Sequence, residues 1–261
     1  MASALVMAPP ALAVAWLGGP LLAALVIVAA AGMGWEWARL TGCGAGPMVG
    51  LVAVVACLPS VALALGEAPL AFVLALAGTA SVWLTARRST GADADWAALG
   101  TAWIALACMA CLWLDRAGGR PGERWTVVWL FLTVWATDTG AYVAGRSLGG
   151  PRLAAALSPN KTWAGFAGGI VSAAAVAWAM AHVADASVAL LVPVGIGLSI
   201  ASQLGDLAES LAKRRFGAKD SGSIIPGHGG LLDRLDGMLA AAAFASLLTL
   251  AAGASPLAWR G

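Results

Sequence analysis

Apolar runs about as long as the roughly 20 residues that a helix needs to cross a bilayer recur along the whole chain. Hydrophobic residues make up 61% of its 261 positions and charged residues only 11%, whereas soluble domains average roughly 45–50% and about 25%. This pattern predicts an all-α, polytopic integral membrane protein and disfavours a soluble helical protein. The net charge of +2 is too small to indicate a nucleic-acid partner.

The apolar runs predict about eight transmembrane helices. They lie at about 11–33, 48–65, 70–86, 96–114, 125–144, 163–183, 188–207 and 231–252, and Pro59 is expected to break the second. The first run lacks the positive region that precedes a cleavable signal sequence, so we interpret it as a retained span. We expect one membrane-embedded domain over 1–261, with scaffold spans in 1–120 and the chemically active half in 121–261.

Loop charges predict the orientation of these spans. An eight-span count puts most loop cations on one side, which the positive-inside rule assigns to the cytoplasm. These cations are Arg39, Arg87, Arg88, Arg146, Arg152, Lys161 and the group at 213–219. The mildly basic loop 115–124 is the exception. We therefore expect a multi-pass protein of the cytoplasmic membrane with its N-terminus outside.

Residues 201–237 concentrate ionisable side chains between the last two predicted spans. They include five carboxylates and five cations, namely Asp206, Glu209, Asp220, Asp233, Asp236, Lys213, Arg214, Arg215, Lys219 and Arg234. Glycines let backbone N–H groups approach a phosphate, and lysines and arginines supply charge. Carboxylates beside such cations would repel a phosphate unless a divalent metal bridged them, as Mg²⁺ does. The stretch therefore predicts a metal-dependent polyphosphate site.

Two upstream segments add polar groups to this interpretation. Asp138 lies inside the fifth predicted span, where a carboxylate must face a polar cavity or a partner; it is either a metal or substrate contact or half of an ion pair that locks helices. Tyr142, one turn later, shares its helix face. Ser158, Lys161 and Thr162 precede the sixth span, where they either bind phosphate at a helix N-terminus or form a simple turn and cap.

The histidines and cysteines carry weaker signals. His228, flanked by glycines, is either an exposed loop residue or a phosphate or acid–base group, and His182 is expected to be inert. Cys108 and Cys111 form a CxxC pair inside a predicted span, with no second ligand pair to complete a metal site. The 201–237 stretch contains no P-loop pattern, and one histidine is too few for zinc.

Residues 210–236, SLAKRRFGAKDSGSIIPGHGGLLDRLD, resemble the C-terminal pattern of the phosphatidate cytidylyltransferase (CDP-diacylglycerol synthase) family at every polar position. The blocks DTGAYVAGR at 138–146, SPNKT at 158–162 and GDLAES at 205–210 also resemble the family, in the same order. Two departures occur. Ala212 replaces a larger aliphatic residue of the family pattern. Ala164 stands where a glutamate is expected, and we expect another carboxylate to replace that glutamate if it helps to hold a metal ion or a lysine.

The resemblance implies a reaction in which CTP and phosphatidate give CDP-diacylglycerol and pyrophosphate, with Mg²⁺ as one or two ions. Asp206 and Asp233 would be the principal metal ligands, helped by Asp138, Asp220 and Asp236. The residues implied in catalysis are Asp206, Asp233, Lys213, Lys219 and His228. Those implied in substrate binding are Ser158, Lys161, Thr162, Arg214, Arg234, Tyr142, Gly229 and Gly230. The partners would be CTP, phosphatidate and membrane lipids, and a homodimer stays open.

Three alternatives remain beside this reading. A polyprenol kinase would use CTP but transfer its γ-phosphoryl group, and an archaeal-type CDP-lipid synthase would differ in its lipid acceptor. A cation-coupled transporter would use the intramembrane carboxylates as an ion path. The clustering of charges at one membrane face disfavours the transporter.

Overall fold

The computed structural model of the chain describes residues 2–44, 46–89, 91–117, 125–224 and 229–260. Within these ranges the fold consists of nine α-helices, of which eight are long and apolar enough to cross a membrane. The helices are α1 (Ala2–Leu17), α2 (Gly19–Leu40), α3 (Pro47–Ala64), α4 (Ala68–Ala86), α5 (Ala94–Ala117), α6 (Trp125–Leu148), α7 (Trp163–Val183), α8 (Val188–Arg215) and α9 (Leu232–Ala252). The prediction of an all-α polytopic membrane protein is confirmed.

The first predicted span is wrong in its position. The chain breaks at Gly18 and Gly19, whose φ angles are 61° and 57°, and the first membrane-length helix is α2 rather than 11–33. Asp115 stabilises this break, because its Oδ2 accepts a hydrogen bond from the N–H of Gly19 at 2.9 Å. The expected break at Pro59 is also wrong, since α3 continues through it.

A short hairpin connects α6 to α7, a segment for which the sequence predicted either phosphate binding at a helix N-terminus or a simple turn and cap. Strand β1 (Arg152–Ala154) pairs antiparallel with β2 (Ser158–Thr162), with Arg152 opposite Thr162. The pairing satisfies backbone groups of a polar segment that links two membrane-length helices. Because β2 runs directly into α7, the hairpin fixes how the side chains of β2 approach the neighbouring helices.

The helices pack as two connected groups. Helices α2 to α5 contact one another, α6 to α9 form the second group, and α5 packs against α9 to join them. Glycines permit close approach in the second group: a Cβ on Gly165 would lie 2.8 Å from the carbonyl oxygen of Ala141, and one on Gly168 would lie 2.8 Å from that of Gly140. Small residues of this kind are typical of helix contacts in membranes.

Candidate active site

Three carboxylates converge where α8 and α9 pack together. One oxygen from each of Asp206, Glu209 and Asp236 lies within 4.8 Å of the other two. The close packing depends on glycines, because a Cβ on Gly205 would lie 2.8 Å from the carbonyl oxygen of Asp236, and one on Gly237 would lie 2.5 Å from Ser202 Oγ. Helix contact therefore brings together acids that are about 30 residues apart in the chain.

The acid cluster has the properties of a divalent-metal site. Glu209 is only 7% exposed, and its Oε1 accepts no hydrogen bond from any described residue. A buried carboxylate oxygen without a donor is costly unless a proton or a bound cation neutralises the group. Hard divalent cations such as Mg²⁺ prefer carboxylate oxygens, so these three side chains fit one.

Two lysines contact the acids of this region. Lys161, on β2, forms an ion pair with Asp206 through its Nζ and Oδ2 at 2.5 Å. Lys213 donates to Glu209 Oε2 at 2.7 Å and to Asp233 Oδ1 at 2.6 Å. The first lysine ties the hairpin to α8, and the second ties α8 to α9.

Asp233 lies outside the three-carboxylate group, and its oxygens accept hydrogen bonds from other residues. Its Oδ2 accepts from the N–H of Ser221 at 3.0 Å and from the N–H of Gly230 at 2.8 Å, in addition to Lys213. Asp233 therefore holds the segment before α9 in place. Its implied role as a principal metal ligand stays a prediction, while Asp206 and Asp236 lie in the cluster together with Glu209, which was not among the predicted ligands.

Sequence reasoning also missed Glu36, a carboxylate of α2 that is 1% exposed. Its two oxygens accept from the backbone N–H groups of Leu231 and Leu232 at 2.9 and 2.8 Å. The available signal was a single acid, flanked by Trp35 and Trp37, at the end of an apolar run. The predicted span ended at Met33, so Glu36 was overlooked as a loop residue.

A family model described as a cytidylyltransferase family matches residues 1–251. The chain belongs to the cytidylyltransferase family. This assignment agrees with the resemblance of the 210–236 segment, and it extends over the N-terminal spans, which by themselves indicated only hydrophobic helices.

Curated relatives in this family are named phosphatidate cytidylyltransferase. One from Brucella suis is 55% identical over 127 residues, which are 48% of this chain and 47% of the relative. One from Staphylococcus saprophyticus is 50% identical over 115 residues, or 43% of this chain and 44% of the relative. The chain thus spans about half the length of the curated relatives it matches.

The hairpin carries three predicted substrate-binding residues of this cytidylyltransferase-family chain, and one of them, Lys161, contacts the acid cluster. Thr162 caps α7, because its Oγ1 accepts from the N–H of Gly165 at 3.0 Å, and it is buried. Lys161 contacts Asp206 as described, and Ser158 begins the same strand. The structure thus shows the expected helix cap at Thr162, while phosphate binding by Ser158, Lys161 and Thr162 stays a prediction.

The remaining predicted residues differ in their contacts and in their exposure. Asp138 lies near enough to Asp206 and Lys161 to interact with them electrostatically. The Tyr142 hydroxyl accepts from Arg146 at 3.3 Å, and Arg214 donates from Nε to the carbonyl oxygen of Leu157 at 3.2 Å. Exposed positions on the same side are Lys219, Asp220 and Arg234.

Gly229 and Gly230, which precede α9, require glycine for different structural reasons. Gly229 has a φ of 83°, a conformation that favours glycine. Gly230 has no space for a side chain, because a Cβ there would lie 2.1 Å from Ser221 Oγ. The predicted catalytic residue His228 lies outside the described residues.

Proposed function

We propose that the chain transfers the cytidylyl group of CTP to phosphatidate, giving CDP-diacylglycerol and pyrophosphate. The observation that carries this proposal is the Asp206, Glu209 and Asp236 cluster, with a buried Glu209 oxygen that accepts no hydrogen bond from the part of the chain that the structure describes. Membership of the cytidylyltransferase family and the names of the curated relatives support the same reaction.

The three clustered carboxylates would hold Mg²⁺, as one ion or as part of a pair. Such a cation, when bound, neutralises phosphate charge and orients the reacting groups. Asp138, which interacts electrostatically with Asp206, would be a ligand of the second ion if a pair binds. Asp233, with Lys213 and two backbone donors around it, would act by positioning Lys213 and the segment before α9.

The cations around the cluster would bind the triphosphate and the lipid phosphate. Lys161 and Lys213 already contact the acids, while Lys219, Arg214 and Arg234 are exposed nearby. A phosphate oxygen of the lipid would form a bond to the α-phosphorus of CTP, and the bond from that phosphorus to the bridging oxygen would break, releasing pyrophosphate. Such a transfer needs positioning and charge neutralisation more than covalent catalysis.

The location of the cluster suits one water-soluble and one lipid substrate. The C-terminal end of α8, the N-terminal end of α9 and the hairpin meet at the same end of the helix bundle. Loop cations concentrate at this end, which supports a cytoplasmic orientation. CTP would arrive from the cytoplasm, and the lipid head group would enter from the adjacent leaflet.

The test uses purified protein in mixed micelles with phosphatidate, labelled CTP and Mg²⁺. The expected products are CDP-diacylglycerol and pyrophosphate, and Asp206→Asn and Asp236→Asn should lose activity. Glu67→Gln, at the N-terminus of α4, changes an exposed carboxylate away from the cluster and serves as the matched control.

Other products would refute the proposal. CDP together with a phosphorylated lipid would indicate γ-phosphoryl transfer and a lipid kinase. Cation-dependent uptake into vesicles, without any CTP turnover, would instead indicate a transporter. Transfer of the cytidylyl group to a different lipid phosphate, but not to phosphatidate, would indicate a CDP-lipid synthase with another lipid acceptor.

A further inference from the structure

Glu36 connects the N-terminal helices to the segment that carries the acids of α9. It lies near the end of α2, almost 200 residues before its partners, and is 1% exposed. Its Oε1 accepts from Leu231 and its Oε2 from Leu232, and Ser221 Oγ lies 3.4 Å from Oε2. A buried carboxylate with this many donors is held in a single geometry.

The donors of Glu36 are the first backbone groups of a helix. Leu231 occupies the cap position of α9, and α9 has no cap hydrogen bond from its own cap side chain. The first N–H groups of any helix need acceptors from outside it, and the positive end of the helix dipole favours an anion there. Glu36 therefore caps α9 from another helix.

A second carboxylate holds the same segment from within α9. Asp233 accepts from the N–H groups of Ser221 and Gly230; Gly230 directly precedes Leu231, and the hydroxyl of Ser221 also donates to Glu36. The approach of Glu36 requires glycine at two positions, because a Cβ on Gly222 would lie 2.5 Å from Glu36 Oε1 and one on Gly230 would lie 2.8 Å from Oε2. Residues 221–222 and 230–232 are thus fixed between two acids.

We propose that Glu36 is a positioning residue for the active site. By holding the first turn of α9, it keeps Asp236 facing Asp206 and Glu209, one helical turn beyond the contact that Asp233 makes with Lys213. The effect of Glu36 on catalysis rests on the proposed function. The structural content of the inference is independent of the substrate, because it concerns the order of the α9 N-terminus and the geometry of the acid cluster.

The test compares Glu36→Gln and Glu36→Asp with the parent protein in detergent. Glutamine keeps the length but turns an amide N–H₂ towards one of two backbone donors. Aspartate keeps the charge but withdraws it by about one carbon–carbon bond, roughly 1.5 Å. Asp115→Asn is the matched control, since Asp115 also accepts from a helix N-terminus, that of α2 at Gly19, at the other end of the bundle.

Three readouts separate positioning from general stability: amide hydrogen exchange at residues 229–233, Mn²⁺ affinity by electron paramagnetic resonance, and the melting temperature. In both Glu36 variants we expect exchange at 229–233 to rise and Mn²⁺ affinity to fall by about tenfold, since one buried donor loses its acceptor. Asp115→Asn should leave both unchanged. Cytidylyl transfer should show a lower kcat with little change in the KM for CTP.

Specific results would overturn the proposal. Parent-like exchange at 229–233 and parent-like Mn²⁺ affinity in both Glu36 variants would show that the contact does not position the cluster. Equal losses in Asp115→Asn would show that removing the charge of any carboxylate that accepts from a helix N-terminus has the same effect. If the parent makes no CDP-diacylglycerol, the proposed function fails, while exchange at 229–233 still decides whether Glu36 orders the start of α9.

Discussion

Replacing Gly205 by alanine should damage the acid cluster without touching any of its carboxylates. Gly205 lies on α8 beside Asp206, where α8 packs against α9. A Cβ at this position would lie 2.6 Å from the Cβ of Ala240 and 2.8 Å from the carbonyl oxygen of Asp236. Neither neighbour can rotate away, because one is a methyl group and the other is helix backbone.

The structure gives the size of the expected displacement. Carbon atoms in contact prefer about 3.5–4.0 Å, so the two helices must separate locally by about 1 Å. Mg²⁺ requires near-ideal geometry at ligand distances of about 2.0–2.1 Å, and a misplacement of about 1 Å can cost roughly 100-fold in rate. We therefore expect about a 100-fold loss of activity, while overpacking lowers the free energy of unfolding by only about 1–3 kcal/mol.

The assay measures CDP-diacylglycerol formation against Mg²⁺ concentration, together with the melting temperature in detergent. Gly50→Ala is the matched control, because Gly50 is also inside a helix and a Cβ there would meet no atom within 4 Å. That variant should keep its activity and gain roughly 0.5–1 kcal/mol of stability from the better helix former.

The reasoning would be refuted if Gly205→Ala kept parental activity and parental Mg²⁺ dependence. Such a result would mean either that the helices separate without moving Asp206 from Asp236 or that the cluster does not bind the metal. A loss of activity that followed the loss of stability, with unchanged Mg²⁺ dependence, would also count against it.

Three further predictions concern the same site. Glu209→Gln removes one of the clustered charges and should weaken Mn²⁺ binding by about tenfold or more in folded protein, which titration by electron paramagnetic resonance would detect; unchanged binding would exclude Glu209 as a ligand. Thr162→Ala removes the cap of α7 and should lower the free energy of unfolding by about 0.5–2 kcal/mol, with Thr162→Ser as the control that keeps the hydroxyl; a large rise in the KM for CTP without a stability change would instead favour direct phosphate binding. Chelation with EDTA should abolish CTP turnover, and added Mg²⁺ should restore it; turnover that persists in EDTA would contradict a metal-dependent reaction.

Hydropathy predicted the helices well because each span must satisfy its own backbone in lipid. The prediction at 163–183 agrees with α7 at both ends, and the α9 prediction differs by a single residue. The break at Gly18 could not be predicted in the same way. Glycine and proline are common in membrane helices, and the acceptor that stabilises this break, Asp115, comes from a distant helix.

The sequence identified most of the residues of the site, but it did not predict which contacts each of them makes. Spacing puts Asp233 and Asp236 near one face of α9, and nothing in the sequence indicates that Asp233 contacts Lys213 and two backbone donors while Asp236 faces Asp206. The role of Glu36 could not be predicted for a similar reason. Its partners are backbone groups, which leave no signal in the sequence. Roles of this kind depend on helix packing across long sequence separations.

The length of α8 explains how so many charges can follow an apolar helix. Its 28 residues extend about 42 Å at about 1.5 Å per residue, whereas the hydrocarbon core of a bilayer is about 30 Å thick. A helix that entered the core at Val188 would leave it near Leu207, so Glu209 and Lys213 would lie in the interfacial region and Asp206 at its edge. The predicted span at 188–207 begins where α8 begins, and the helix continues beyond the predicted end to Arg215. The continuation gives Glu209 and Lys213 a rigid support outside the hydrocarbon, next to Asp206 at its boundary. Hydrated phosphates can reach these side chains there without the cost of placing a charge at the bilayer centre.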